Sequence, residues 1–90
     1  MIGNNGTCEQ GLPQLVLDIA KALVDSPDQV KVNPVVGEQV TILEVSCAPD
    51  DVGKIIGRKG RTVRSIRTIV GAVSMKERRR YSVEVLERAA

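Results

Sequence analysis

Apolar residues recur at helical spacing near the start of the chain, at Leu12, Leu15, Val16, Ile19 and Leu23. Positions three and four apart fall on one face of a helix, so this pattern predicts an amphipathic helix of about a dozen residues. Pro13 is acceptable in its first turn, because the amide that proline lacks has no helical partner there. The helix is expected to end near Asp25, since the following Ser26 and Pro27 disfavour helical backbone.

Alternating apolar and polar residues predict strands in the next part of the chain. Residues 30–33 form a short alternating segment, and residues 37–38 are typical of a hairpin turn. The clearest strand covers residues 40–48. One of its faces carries Thr41, Leu43, Val45 and Cys47. This face is predicted to be buried, because the opposite face includes Glu44 and Ser46.

A short second helix is predicted over residues 52–56, opened by residues 49–51. Pro49 suits its first turn, and Asp50 and Asp51 place negative charge at the positive end of the helix dipole. The two carboxylates are therefore interpreted as helix-capping residues and not as a catalytic pair. Gly57 ends the helix.

A third helix is predicted from Arg61 to about Val70, where Gly71 is typical of a helix end. The residues expected to face the core are Val63, Ile66 and Val70. Alternation at residues 81–85 predicts the last strand. The order helix, strand, strand, helix, helix, strand predicts an α+β domain in which the helices pack on one face of a three-stranded sheet.

The composition is that of one small globular domain of 90 residues, 42% apolar and 27% charged. Residues 1–11 are rich in Gly and Asn and are predicted to be a disordered tail, with the domain at residues 12–88. The start resembles no signal peptide, and no apolar run approaches the roughly 20 residues of a membrane helix. A cytoplasmic protein is expected, without a membrane partner, and Cys47 is expected to be a free core thiol.

Charge is distributed unevenly along the chain. Residues 1–53 hold two basic and eight acidic residues, whereas residues 54–90 hold eleven basic and three acidic residues. This asymmetry favours one face for an anionic partner, with an ordinary solvated surface as the alternative. The chain has no His, no Walker-type Gly-Lys-Ser/Thr and no catalytic dyad, so neither an enzyme nor a cofactor, metal or small-molecule substrate is predicted.

The most informative segment is a turn between the second and third helices. Gly57 and Gly60 bracket Arg58 and Lys59. Glycine permits a sharp turn and leaves the backbone open to a ligand. The helix that starts at Arg61 directs unpaired amides and its positive dipole end toward the turn. The turn is therefore a candidate site for consecutive phosphates, although a Gly-x-x-Gly pattern by itself is most often a plain turn.

Residues around the turn extend this candidate site. Lys54 precedes it by one helical turn, and Arg61 and Arg64 follow it, so all three are candidate phosphate ligands. The pair Ile55 and Ile56 is positioned to form the wall of a groove.

Two further basic features are open to either interpretation. The basic run at residues 76–80 either extends a nucleic-acid path or, more simply, is a solvated loop that adds long-range attraction. Arg67 either contacts a phosphate or lies on a solvated helix face.

Residues 53–60 resemble the signature of KH domains, in which I/V-I-G-x-x-G links two helices. The predicted element order resembles the type II arrangement, α-β-β-α-α-β. More closely, residues 12–86 resemble the bacterial KhpA (YlqC) family, above all at residues 19–25 and 60–68. The resemblance implies a type II KH domain.

That resemblance implies binding of about four unpaired nucleotides of single-stranded RNA. It places the phosphates against Gly57, Arg58, Lys59 and Gly60, with Lys54, Ile55 and Ile56 as the helix wall. It also implies a cytoplasmic homodimer, or a heterodimer with the larger KH protein KhpB (Jag). Its implied roles are RNA chaperoning and control of cell elongation, cell shape and cell wall biogenesis.

The near-absence of aromatic residues agrees with this assignment. Tyr81 is the only aromatic residue, and one ring cannot form the stacking platform of an RRM or OB-fold, whereas a KH groove is mainly aliphatic. Two alternatives stay open: a protein-interaction module whose main task is to dimerise with another KH protein, and single-stranded DNA as the ligand.

Overall fold

The computed structural model describes the backbone of residues 8–86 and the side chains of residues 11–86. Its helices and strands, in chain order, are α1 (Cys8–Leu23), β1 (Lys31–Val36), β2 (Val40–Ser46), α2 (Val52–Ile56), α3 (Arg61–Glu77) and β3 (Arg80–Val85). Short 3₁₀ turns lie at Pro27–Gln29, Pro49–Asp51 and Arg58–Gly60. The predicted order of elements and the α+β class are confirmed.

The first helix begins earlier than predicted. It starts at Cys8, so residues 8–11, which the composition assigns to a tail, have helical backbone, and Pro13 lies inside the helix instead of in its first turn. The helix packs on the core through three buried residues that lie one turn apart, Leu12, Val16 and Ala20. Its end at Leu23 is two residues before the predicted one. Residues 1–7 of the predicted tail and residues 87–88 of the predicted domain lie outside the described residues.

The sheet has the strand order β1-β2-β3. β2 is the central strand, antiparallel to β1 and parallel to β3. Leu43 pairs with Pro34 on one side and with Val83 on the other. Since the Gly37 amide donates to the Val40 carbonyl, the alternation of an antiparallel ladder turns the backbone of Pro34 away from β2. A proline at this position removes one amide from the open edge of the sheet, which disfavours pairing with another strand.

The core lies between the helices and one face of the sheet, and it consists of Leu12, Val16, Ala20, Val30, Leu43, Val45, Ile55, Ile66, Val70 and Val83. The predicted buried face of β2 is confirmed, since Leu43 and Val45 are buried. The predicted core face of α3 is also confirmed. Cys47 is a half-buried free thiol packed against this core, and burial, with a smaller contribution from the charge of Asp51, raises its pKa.

The third helix is longer than predicted and passes through Gly71 to Glu77. Glycine inside a helix costs about 1 kcal/mol relative to alanine, but Val73 beyond it packs against the core and offsets that cost. The helix ends where Arg78 adopts left-handed backbone with φ 59°. The basic run at residues 76–80 is therefore divided between the end of α3, a turn and the start of β3.

Within residues 8–86, none of the helices combines the length and the apolar character needed to cross a bilayer. Over the same residues, no group of three or more His, Cys, Asp or Glu side chains is arranged to hold a metal ion.

Candidate nucleic-acid interface

The turn between α2 and α3 has positive φ at both of its glycines, a backbone conformation that favours glycine. Gly57 has φ 78° and ψ 169°, and Gly60 has φ 74° and ψ 15°. The Gly57 amide donates to the Gly53 carbonyl at 2.8 Å, and the Gly60 amide donates to the Gly57 carbonyl at 3.0 Å. These two bonds give the turn a defined shape before any ligand binds. Neither bond uses the amide of Arg58 or Lys59.

The two central residues of the turn face solvent. Arg58 and Lys59 are both exposed, and Lys59 has left-handed backbone with φ 56° and ψ 27°. Among the described residues, no side chain caps the start of α3, although the Arg61 amide already donates to the Arg58 carbonyl. The positive end of the helix dipole still favours an anion at this place. Two cations and a positive helix end therefore converge on one exposed turn, as the sequence analysis predicts.

The structure gives Arg64 a second task beside the predicted phosphate contact. Its Nη2 donates to the Lys59 carbonyl at 3.0 Å, which ties the turn to the first part of α3. Arg61 is exposed at the first position of α3. Arg64 therefore adds charge and also holds the left-handed backbone of Lys59 in place.

Lys54 is engaged elsewhere and is not a free cation beside the turn. Its Nζ lies 3.3 Å from the carboxylates of both Asp25 and Asp51, and its side chain is 43% exposed. The hydrogen bond to Asp51, followed by the bond and charge of Asp25, raises the pKa of Lys54. The predicted role of Lys54 as a phosphate ligand is thus weakened, because a phosphate must compete with two carboxylates for it.

Asp51 occupies the predicted cap position before α2, but its carboxylate joins two distant parts of the chain instead of capping the helix. It is 2% exposed, and among the described residues its carboxylate makes no capping bond to α2. It accepts hydrogen bonds from the backbone amides of Asp25 at 3.4 Å and Ser26 at 3.1 Å. Asp51 therefore anchors the segment after α1 to the start of α2, which carries the turn.

The largest single influence on the pKa of the Asp51 carboxyl is burial, which by itself would raise it. The amide bonds from Ser26 and Asp25 and the contact with Lys54 outweigh burial, so the pKa lies below its ordinary value of 3.8. A lowered pKa in the folded state means that the ionised carboxylate stabilises the fold. This stabilisation is complete above about pH 5 and is lost as the pH falls through the folded-state pKa.

Asp51→Asn is expected to lower the melting temperature at neutral pH by at least about 5 °C, because an amide presents an N–H group to donors that need an acceptor. It is also expected to flatten the loss of stability between about pH 5 and pH 2. Thermal unfolding followed by circular dichroism measures both effects. Asp50→Asn is the matched control, since Asp50 is exposed and the change in charge is the same. Equal melting temperatures for the two variants would contradict the anchoring role.

The two isoleucines of α2 differ in what they contribute. The structure gives the predicted groove-lining role of Ile55 no support, because its side chain is 1% exposed and belongs to the core. Ile56 is half-buried and lies next to Gly57. Alternate sides of this short helix face the core and the surface, so only Ile56 of this pair is accessible to a base.

Three contacts that position α2, α3 and β3 escaped the sequence analysis or were left open there. Thr62 packs against Gly57, so closely that a Cβ on Gly57 would collide with its Oγ1. Arg67 donates from Nε to the Val83 carbonyl at 3.3 Å, and the Tyr81 amide donates to the Ser74 hydroxyl at 3.2 Å. These bonds join α3 to β3. No local sequence signal marks them, since each depends on where β3 lies.

An exposed basic Gly-x-x-Gly turn between two helices, within an α-β-β-α-α-β domain, defines a type II KH domain. The model of the KhpA/KhpB KH domain matches residues 13–85. The chain belongs to this family.

Curated relatives support the assignment over most of the chain. An RNA-binding protein KhpA from Clostridium acetobutylicum is 49% identical over 75 residues, which cover 83% of this chain and 100% of the relative. The KhpA of Caldanaerobacter subterraneus subsp. tengcongensis is 51% identical over 73 residues, 81% of this chain and 97% of the relative. The KhpA of Borreliella burgdorferi is 50% identical over 74 residues, which cover 82% of this chain and 90% of the relative. These relatives are named for binding and not for a reaction, and the family is not one of enzymes.

Proposed function

We propose that this chain binds single-stranded RNA through residues 57–60. The observation that carries the proposal is the exposed, pre-shaped turn with Arg58 and Lys59 at its centre and the amino end of α3 behind it. Membership of a family whose curated members are named RNA-binding proteins supports the same ligand. The phosphates lie against the turn, and the bases lie toward Ile56 and α3.

The physical chemistry favours contacts to the backbone of the RNA over recognition of its sequence. Guanidinium, ammonium and amide groups bind phosphate oxygens, which every nucleotide shares. Tyr81 is half-buried against the core, so it does not provide an exposed ring for base stacking. We therefore propose modest affinity and low sequence stringency.

Further proposals rest on family resemblance. They are a role as a small bacterial RNA chaperone or regulator linked to cell elongation and wall synthesis, a cytoplasmic location, and a homodimer or a heterodimer with KhpB (Jag). Two linked copies would raise the affinity of a weak single module through effective concentration.

The test is binding of a fluorescent single-stranded RNA and of the same sequence as a duplex, measured by anisotropy at several salt concentrations. The single strand is expected to bind more tightly, because a narrow groove excludes paired bases. Its log affinity is expected to fall linearly with log salt, with a slope of about −1.4 to −2.8 for two to four phosphate contacts. A tighter complex with the duplex, or an affinity that salt does not change, would overturn the proposal.

A second candidate function is a protein-interaction module that mainly dimerises with another KH protein. The observation in its favour is a set of exposed apolar side chains on two helices, Leu15, Leu23, Ile69 and Met75. Both functions are compatible in one chain, but they respond differently to changes in the turn.

A further inference from the structure

A cavity lies at the end of the sheet where β2 and β3 begin. Its volume is about 490 Å³, and it is open between two segments that the sequence places far apart. One segment is the β1–β2 turn, residues 36–41, and the other is residues 78–80, between the end of α3 and the start of β3. The three consecutive residues of the second segment are all arginines.

The charge of this cavity is positive and only partly balanced. Glu38 is its one acidic lining residue, and neither Arg78 nor Arg80 forms an ion pair within 4 Å among the described residues. Both arginines are exposed. Guanidinium groups donate several hydrogen bonds in a planar fork that matches phosphate oxygens, so a phosphate is the anion that this lining suits best.

Backbone geometry places these arginines together. Arg78 has left-handed backbone with φ 59°, and the Arg79 amide donates to the Ser74 carbonyl at 3.2 Å. This closes α3 and turns the chain into β3, where Arg80 pairs with Val40 at the start of β2. The pairing brings the arginines beside the β1–β2 turn, so the site is a product of the fold and not of the basic run alone.

The cavity is distinct from the Gly-x-x-Gly turn. The two lie at opposite ends of α3, whose 17 residues span about 25 Å at 1.5 Å per residue. One phosphate cannot contact both places. An RNA longer than the roughly four nucleotides that a KH turn binds carries further phosphates, which can contact a second site.

From this arrangement we infer that Arg78 and Arg80, with the β1–β2 turn, form a second phosphate site that takes the backbone of the same RNA outside the clamped nucleotides. The inference rests on the proposed function of the turn. The second site lengthens the stretch of RNA that the protein contacts. It increases the affinity for a long RNA only, because a short oligonucleotide does not reach it.

The test compares single-stranded RNAs of about four and about twelve nucleotides, with anisotropy as the readout. The variant is Arg78→Asn with Arg80→Gln, because asparagine tolerates left-handed backbone. The unaltered chain is expected to bind the longer RNA more tightly. The variant is expected to keep its affinity for the short RNA and to bind the long RNA about tenfold more weakly. For the long RNA, the slope of log affinity against log salt is expected to be smaller in magnitude by about 1.4, the value for two phosphate contacts.

The control is Lys21→Gln with Lys31→Gln, which removes the same charge from α1 and from the far end of β1. If both double variants lose equal affinity for the long RNA, the arginines act by long-range attraction and the second site is refuted. If the arginine variant also weakens binding of the short RNA, the two sites are not separate and the inference fails. If the unaltered chain binds neither RNA, the proposed function fails, and the second site with it.

Discussion

Arg58→Asp combined with Lys59→Asp is expected to abolish binding of single-stranded RNA while the fold stays intact. At about 4 Å in water one pair of unit charges is worth about 1 kcal/mol, and about 1.4 kcal/mol is a factor of ten in affinity. Both positions change from attraction to repulsion, so a loss of a hundredfold or more is expected. Anisotropy at moderate salt measures it.

The fold should tolerate this double change. Both side chains are exposed, and substitutions at such positions usually change stability by less than about 0.5 kcal/mol. Lys59 has left-handed backbone, which aspartate adopts more readily than lysine does. The melting temperature and the far-ultraviolet circular dichroism spectrum are therefore expected to match those of the unaltered chain.

Lys21→Asp with Lys31→Asp is the matched control, because it changes the net charge equally and leaves the turn unaltered. It is expected to weaken RNA binding only slightly. Undiminished binding by the Arg58 and Lys59 variant would remove the turn from the interface. The interaction-module alternative predicts that the chain forms a dimer and that this dimer persists in the Arg58 and Lys59 variant. Size-exclusion chromatography with light scattering measures the oligomeric state of both proteins.

Gly57→Ala is expected to cost at least about 3 kcal/mol of stability, a large part of what a domain of this size possesses. With φ 78° and ψ 169°, Gly57 lies in a backbone region that is essentially restricted to glycine. A Cβ there would also collide with the Oγ1 of Thr62 and would lie 2.6 Å from its Cβ and 2.8 Å from its backbone nitrogen. Thermal and urea unfolding measure the loss.

Gly60→Ala separates the steric effect from the effect of positive φ alone. Gly60 also has positive φ, but the nearest atom to its added Cβ is the Nη2 of Arg64 at 3.8 Å, an ordinary van der Waals contact, so a cost of only about 1–2 kcal/mol is expected. Thr62→Ala should not rescue Gly57→Ala, because the clash with the backbone nitrogen and Cβ of residue 62 remains. Similar melting temperatures for the two glycine variants would show that the packing of Thr62 against Gly57 is unimportant.

Much of the fold followed from short-range patterns. The spacing of Val63, Ile66 and Val70 predicted which face of α3 is buried, and the alternation at Leu43 and Val45 did the same for β2. The glycine-bracketed cations between two helices predicted the candidate site. Each signal lies within a few residues, and the geometry of a single helix, strand or turn is enough to interpret it.

The boundaries were less predictable than the elements. Gly71 was expected to end α3 and Pro13 was expected to lie in the first turn of α1, yet both lie inside helices. The local cost in a helix interior is about 1 kcal/mol at a glycine and about 3 kcal/mol at a proline. Packing of Val73 against the core offsets the first, and the combined burial of Leu12 and Val16 offsets the second. Packing decides such a competition, and packing is not visible in local sequence.

The sequence by itself determined the element order, the aliphatic core and a cationic turn framed by Gly57 and Gly60. Only the tertiary structure decided that Asp51 accepts hydrogen bonds from backbone amides 25 and 26 residues away and that Lys54 pairs with two carboxylates. It also decided that arginines after α3 meet the β1–β2 turn. These contacts join residues from separate elements, so their partners are set by how the helices dock on the sheet.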